Sequence, residues 1–237
     1  MAEGRVASGQ KKAQENGRSI VLIDESGFML QPVVRRTWAP KGQTPIQYSW
    51  DRHDRLSVIL GITVSPLRQR LGLYFQIYNE NINYEKVMAF ITMIHRHLRR
   101  KFILVLDRYS VHRKAVRLLQ GQHPDWFEVV WLPAYAPELN PVEMVWNHTK
   151  YADLANFLPE DVHHLHQSVV ASNREHVDAA RSTALILQVQ RTRPVIVPFN
   201  SRSSIASVER ARIEAANLDR ASTKMILGED AGRLLGL

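Results

Sequence analysis

Cysteine is missing from all 237 residues, which excludes disulfides, thiol nucleophiles and cysteine-based zinc sites. Long apolar runs are missing too. None approaches the roughly 18 residues that a membrane-spanning helix requires. The first 18 residues are polar and lack the apolar stretch of a signal peptide. These absences predict a soluble, cytoplasmic protein with no membrane partner. Negative charge is in short supply: 23 acidic residues face 31 Lys and Arg, for a formal charge of +8. Such an excess suits a polyanionic partner, because clustered cations bind phosphate backbones with little regard to sequence. There is no internal repeat and no low-complexity tract. With 45% hydrophobic residues the chain can bury a proper core.

Residues 1–18 read as a linker remnant. Ser19-Ile20-Val21-Leu22-Ile23 is a β-branched apolar run closed by Asp24-Glu25-Ser26-Gly27, the pattern of a buried central strand. Strand alternation puts Ile20, Leu22 and Asp24 on one face and Val21, Ile23 and Glu25 on the other. Residues 28–55 are turn-rich and basic and should cross the surface. Strands over 56–64 and 71–78 predict an antiparallel hairpin. Asn83 is placed to cap a helix over 84–100, and a second strand, 102–107, ends in Asp107. A helix near 111–120 and a strand near 127–132 follow. After three prolines in the stretch 132–146, Glu143 enters the first turn of a helix expected to continue toward 157. This order predicts an α/β fold, a mixed sheet of antiparallel meander and then βα units, flanked by helices. From about residue 172 the periodicity loosens, so 171–237 reads as an atypical tail outside the core.

Asp24, Asp107 and Glu143 stand out as carboxylates at the ends of apolar strands or at a helix start. Ionised carboxylates in such places are costly unless solvated, paired or bound to a cation. Each alone is equally a helix cap, a turn residue or a charge suited to the helix dipole. Together they would repel one another, and a divalent metal relieves that repulsion. Oxygen-only ligands point to Mg²⁺ or Mn²⁺ rather than zinc.

The chain resembles the catalytic domain of mariner-like DDE transposases, in particular bacterial insertion-sequence transposases. The resemblance rests on Ile23-Asp24-Glu25-Ser26-Gly27-Phe28, on Arg36-Thr37-Trp38-Ala39-Pro40-Lys41-Gly42, and on Leu106-Asp107 with Ser110 and His112. Its most specific part is Leu132-Pro133-Ala134-Tyr135-Ala136-Pro137-Glu138-Leu139-Asn140-Pro141-Val142-Glu143 with Trp146 and Lys150. Thirty-five residues separate Asp107 from Glu143, close to the family's usual spacing. The resemblance implies an RNase H-like catalytic domain over 19–170, with Asp24, Asp107 and Glu143 as catalytic and metal-binding residues and two Mg²⁺ or Mn²⁺ ions. It implies DNA cleavage at element ends and attack of the freed 3′-OH on target DNA, near the bacterial nucleoid. The partners it implies are end and target DNA, a second copy, or a separate helix-turn-helix fragment.

Arg36, Lys41, Arg108, His112 and Lys150 are the candidate DNA contacts. Arg108 stands where many relatives have Asn, and could grip a phosphate or compete with the cation. His112 could contact DNA, position Asp107, or be an ordinary solvated helix residue. Relatives carry N-terminal helix-turn-helix units that this chain lacks, which leaves a second expectation: a truncated, non-autonomous fragment that binds DNA or full-length transposase without catalysis. His163, His164 and His166 read as surface residues, and Trp38 and Trp146 as packing residues.

Overall fold

The computed structural model of the chain describes residues 16–48, 54–67, 70–134 and 139–192, the side chains only as far as 180. The 135–138 part of the proline-braced loop lies outside these residues, as do most of the N-terminal linker and the tail from 193. Five strands form one sheet: β1 (Ser19–Met29), β2 (Arg55–Val64), β3 (Leu71–Tyr78), β4 (Phe102–Leu106) and β5 (Phe127–Trp131). Their spatial order is β3-β2-β1-β4-β5. β1, β2 and β3 make an antiparallel meander, while β4 and β5 run parallel to β1. Among the described residues four α-helices accompany the sheet: α1 (Tyr84–Leu98), α2 (Ser110–Gln122), α3 (Pro141–His148) and α4 (Val162–Thr192). This is the mixed sheet that the sequence order predicts and the RNase H-like arrangement that the resemblance implies.

β1 is central, and its apolar run is continuous because both faces are covered. Val21 and Ile23 pack with Phe90, Ile91 and Ile94 of α1 and Ala115 and Leu119 of α2. Ile20 and Leu22 pack on the opposite face with Val142, Val145 and Trp146 of α3 and Leu165 and Val169 of α4. Gly61 in β2 lets α1 settle closely on the sheet, since a Cβ there would lie 3.0 Å from Ile94 Cδ1. α1 begins where expected, with Asn83 Oδ1 accepting from Lys86 N at 3.0 Å.

Three expectations are corrected. β1 does not stop at Asp24 but runs on to Met29, because β2 pairs with it as far as Met29↔Arg55. The helix carrying Glu143 ends at His148, and a π-helical turn, Thr149–Asp153, follows it. The expected boundary at 170–171 falls inside α4, which continues unbroken and buries Ser172, Asn173, His176 and Ala180. Residues 172–180 therefore belong to the domain. Among the described residues, no helix is long and apolar enough to cross a membrane.

Candidate active site

The site forms where β1 and β4 part. Their parallel pairing ends at Leu22↔Val105, while β1 continues beside β2. Continuing that register by two residues sets Asp24 opposite Asp107. The gap beyond the last pair leaves room for polar side chains at the edge of an otherwise apolar sheet.

α3 delivers Glu143 to this gap. Asn140 caps the helix, its Oδ1 accepting from Val142 N at 3.3 Å, and Pro141 occupies the first helical position, where its missing N–H costs nothing. The Asn140 Nδ2 also donates to Ile23 O at 3.3 Å. One helical turn and a half later, Trp146 Nε1 donates to Asp24 Oδ2 at 3.1 Å. Two side chains of the same short helix thus grip consecutive residues of β1. Glu143 lies between them on the exposed side, and its carboxylate has no hydrogen-bond partner among the described residues.

Asp24 is the electrostatic centre. Burial, and after it the negative charges of Glu143, Glu25 and Asp107, push its pKa up to about 8, against a smaller opposing effect of the Trp146 hydrogen bond. Asp24 thus lies close enough to three other carboxylates to feel their charge, and Trp146 is the one hydrogen-bond donor to its carboxylate among the described residues. Asp107 is in the contrary position. The His112 hydrogen bond holds it below the ordinary carboxylate range despite partial burial, helped by the Tyr109 backbone N–H at 2.9 Å.

His112 is only 1% exposed, so it is neither a solvated helix residue nor available to meet a nucleic acid. Its Nδ1 lies 2.5 Å from Asp107 Oδ1 and its Nε2 2.8 Å from Glu25 Oε2. Burial opposes charge on this ring, but the hydrogen bonds and charges of Asp107 and Glu25 outweigh it and raise the imidazole to about 10. Both ring nitrogens therefore donate. The result is a Glu25–His112–Asp107 chain that passes from one side of β1 to the end of β4.

Lys150, in the π-helical turn, is a second candidate cation, after His112, that the fold brings to the acidic group. Burial lowers its pKa, and the nearby Glu143 and Asp24 charges oppose that shift. Its Nζ lies 5.4 Å from the Phe28 ring centroid, and Phe28 meets Trp146 edge-on at 5.9 Å. A cleft of about 390 Å³ opens beside this cation, bounded by Phe28, Met29, Val33, Tyr151 and Phe157 among others. Arg108 is exposed directly beside Asp107. Arg36 and Lys41 are exposed on the segment between β1 and β2, and no hydrogen bond or ion pair among the described residues ties them to the carboxylates. Trp38, expected to pack, is fully exposed.

Sequence reasoning passed over two participants. Glu25 was placed on the correct face but had no assigned partner, and only the tertiary position of His112 supplies one. Trp146 packs as expected, yet its indole nitrogen also serves Asp24. An aromatic residue three after Glu143 gives no sequence signal of that second role.

Residues 19–166 match a family model described as DDE superfamily endonuclease. No curated protein sequence matches the chain. Among solved structures, a Mos1 transposase paired-end complex with the left transposon end is similar over 80% of this chain and 62% of that one, with 14% identity and a TM-score of 0.49. A Mos1 mariner paired-end complex with Mn gives 15% identity and a TM-score of 0.47 over 99% and 62% of the two chains. A Drosophila P element transposase strand transfer complex gives 12% and 0.25 over 92% and 50%. The chain thus spans less than two thirds of the length of the Mos1 protein.

Proposed function

We propose, from the membership of this chain in the DDE superfamily endonuclease family, that it is the catalytic domain of a DNA transposase. Its reaction is cleavage of strands at the ends of an insertion sequence and transfer of the freed 3′-OH to target DNA. The observation that carries this reading is the convergence of Asp107 and Glu143 on a half-buried Asp24 whose own charge is penalised by its neighbours.

That donor set fits a hard divalent cation. All three groups offer oxygen, Glu143 has no competing hydrogen bond among the described residues, and a cation would relieve the repulsion that otherwise favours a proton on Asp24. Asp24, Asp107 and Glu143 would hold the metal. Two Mg²⁺ or Mn²⁺ ions bound there would supply activation of the attacking oxygen and stabilisation of the leaving oxygen.

The remaining residues prepare the site. Trp146 and Asn140 fix α3, and with it Glu143, against β1. His112 and the Tyr109 N–H both occupy Asp107 Oδ1, which leaves Oδ2 without a hydrogen bond among the described residues. Lys150 places a cation beside the carboxylates, where a phosphate diester would need neutralisation without base readout. Exposed Arg108 is positioned to serve a second phosphate.

The test is incubation of the chain with duplexes carrying the two ends of its own element, in Mg²⁺ or Mn²⁺. Metal-dependent nicks at the element boundary are expected. Asp107→Ala and Glu143→Ala should lower cleavage by at least about 10³-fold, the scale of losing central electrostatic stabilisation. Equal cutting by these variants would remove the assignment.

A further inference from the structure

A second cluster of metal-binding side chains lies on the far side of the π-helical turn. His148 ends α3, Asp153 ends the turn, and His176 comes from the middle of α4. In an α-helix, residues five apart point about 140° away from each other. The wider π turn, closed by Leu154 N donating to Thr149 O at 2.9 Å, brings His148 and Asp153 to the same side. Their ligand atoms and that of His176 all lie within 4.8 Å of one another.

Each histidine's spacing to the carboxylate is that of two ligands on a small ion. His148 Nδ1 is 3.2 Å from Asp153 Oδ1, and His176 Nε2 is 3.4 Å from Asp153 Oδ2. A tetrahedral centre with bonds of about 2.0–2.1 Å sets its ligands about 3.3–3.4 Å apart. His148 Nδ1 is buried and makes no hydrogen bond despite its nearness to the carboxylate. His176, 2% exposed, has its Nδ1 buried and unpartnered as well. The carboxylate is already oriented, because Ser172 Oγ donates to Asp153 Oδ2 at 2.7 Å. Thr149 Oγ1, 3.1 Å from both His176 Nε2 and Ser172 Oγ, adds a further oxygen. The side chains of His148 and Asp153 are 35% and 23% exposed, which leaves an entry path.

We propose that His148, Asp153 and His176 form a second metal site, selective for zinc-class divalent ions and distinct from the acidic triad. Two imidazoles and one carboxylate favour such an ion over Mg²⁺, which takes oxygen ligands. The ion would clamp α4 to the turn that follows α3. It would thereby brace the segment that presents Glu143 and Lys150.

The test uses the full chain stripped with a chelator and titrated with Zn²⁺ against a chromophoric competitor. Wild type should bind one equivalent with a submicromolar dissociation constant, unaffected by millimolar Mg²⁺, and its melting temperature should rise on loading. Glu143→Gln should bind zinc equally. His148→Ala and Asp153→Asn, both at partly exposed positions, should weaken binding at least about 100-fold, with helical content checked by circular dichroism. In wild type, Co²⁺ should give the intense visible absorption of a tetrahedral centre. Failure of wild type to bind a stoichiometric ion, or undiminished binding by both variants, would overturn the proposal.

Discussion

Trp146 Nε1 donates a 3.1 Å hydrogen bond to Asp24 Oδ2, so the helix that carries Glu143 is tied directly to the strand that carries the first carboxylate. The bond links groups 122 positions apart in sequence and fixes the distance between two acids that repel each other. Trp146→Phe keeps the ring packed near Phe28 and removes only this donor. Denaturation should show a loss of about 1–2 kcal/mol. Cleavage should fall by about tenfold to 100-fold, the cost of misplacing a reacting group.

Asp24→Asn should make the metal-free protein more stable while abolishing metal-dependent cleavage. The sign follows from a folded-state pKa of about 8, raised above the ordinary 3.8. Below the lower value both states are protonated. Between the two, the folded chain keeps a proton that the unfolded chain loses, so stability falls as pH rises and stays low above about 8. Urea titrations in chelator should show wild type losing stability over this window and Asp24→Asn losing less. Added Mg²⁺ or Mn²⁺ should restore wild type and leave the variant unchanged.

His112 has the opposite charge and a later window. Its folded-state value of about 10 exceeds the ordinary 6.5, so its stabilisation is complete below about 6.5 and disappears as pH rises through 10. His112→Asn retains a donor for one carboxylate and should cost about 1–2 kcal/mol at pH 6. His112→Ala leaves Glu25 and Asp107 both unpaired and should cost more. Neither variant should show the wild-type fall in stability between pH 8 and 10, above the window set by Asp24.

Asn140 does two jobs at the start of α3, capping Val142 N and donating to Ile23 O. Asn140→Ala should destabilise the fold by about 1–2 kcal/mol. Asn140→Asp keeps the cap acceptor but loses the donor to β1 and buries a carboxylate against Ile23 O, so it should be less stable than wild type and cleave more slowly.

Much of the architecture was legible in the chain because its apolar segments are periodic and well separated. The alternation along 20–25 placed Asp24 and Glu25 on opposite faces, as the two packed clusters show. The end of β1 was not legible. Asp24-Glu25-Ser26-Gly27 has the composition of a turn, and only pairing with β2 carries it through as strand. The continuation of α4 past residue 171 was hidden for a different reason. Its buried face there is Ser172, Asn173 and His176, so burial is real but hydrophobic periodicity is absent. His163, His164 and His166 drew notice in the sequence, but the histidines gathered around Asp153 are His148 and His176, which only tertiary structure brings together.

The central claim is that Asp24, Asp107 and Glu143 jointly hold the catalytic metal. Anomalous diffraction from crystals of the protein soaked in Mn²⁺ tests it directly. Manganese peaks should appear in the gap between β1, β4 and α3, within about 2.0–2.4 Å of oxygens from all three carboxylates. Mn²⁺ absent from that gap, or bound there without Asp24 or Glu143 as ligands, would contradict the account.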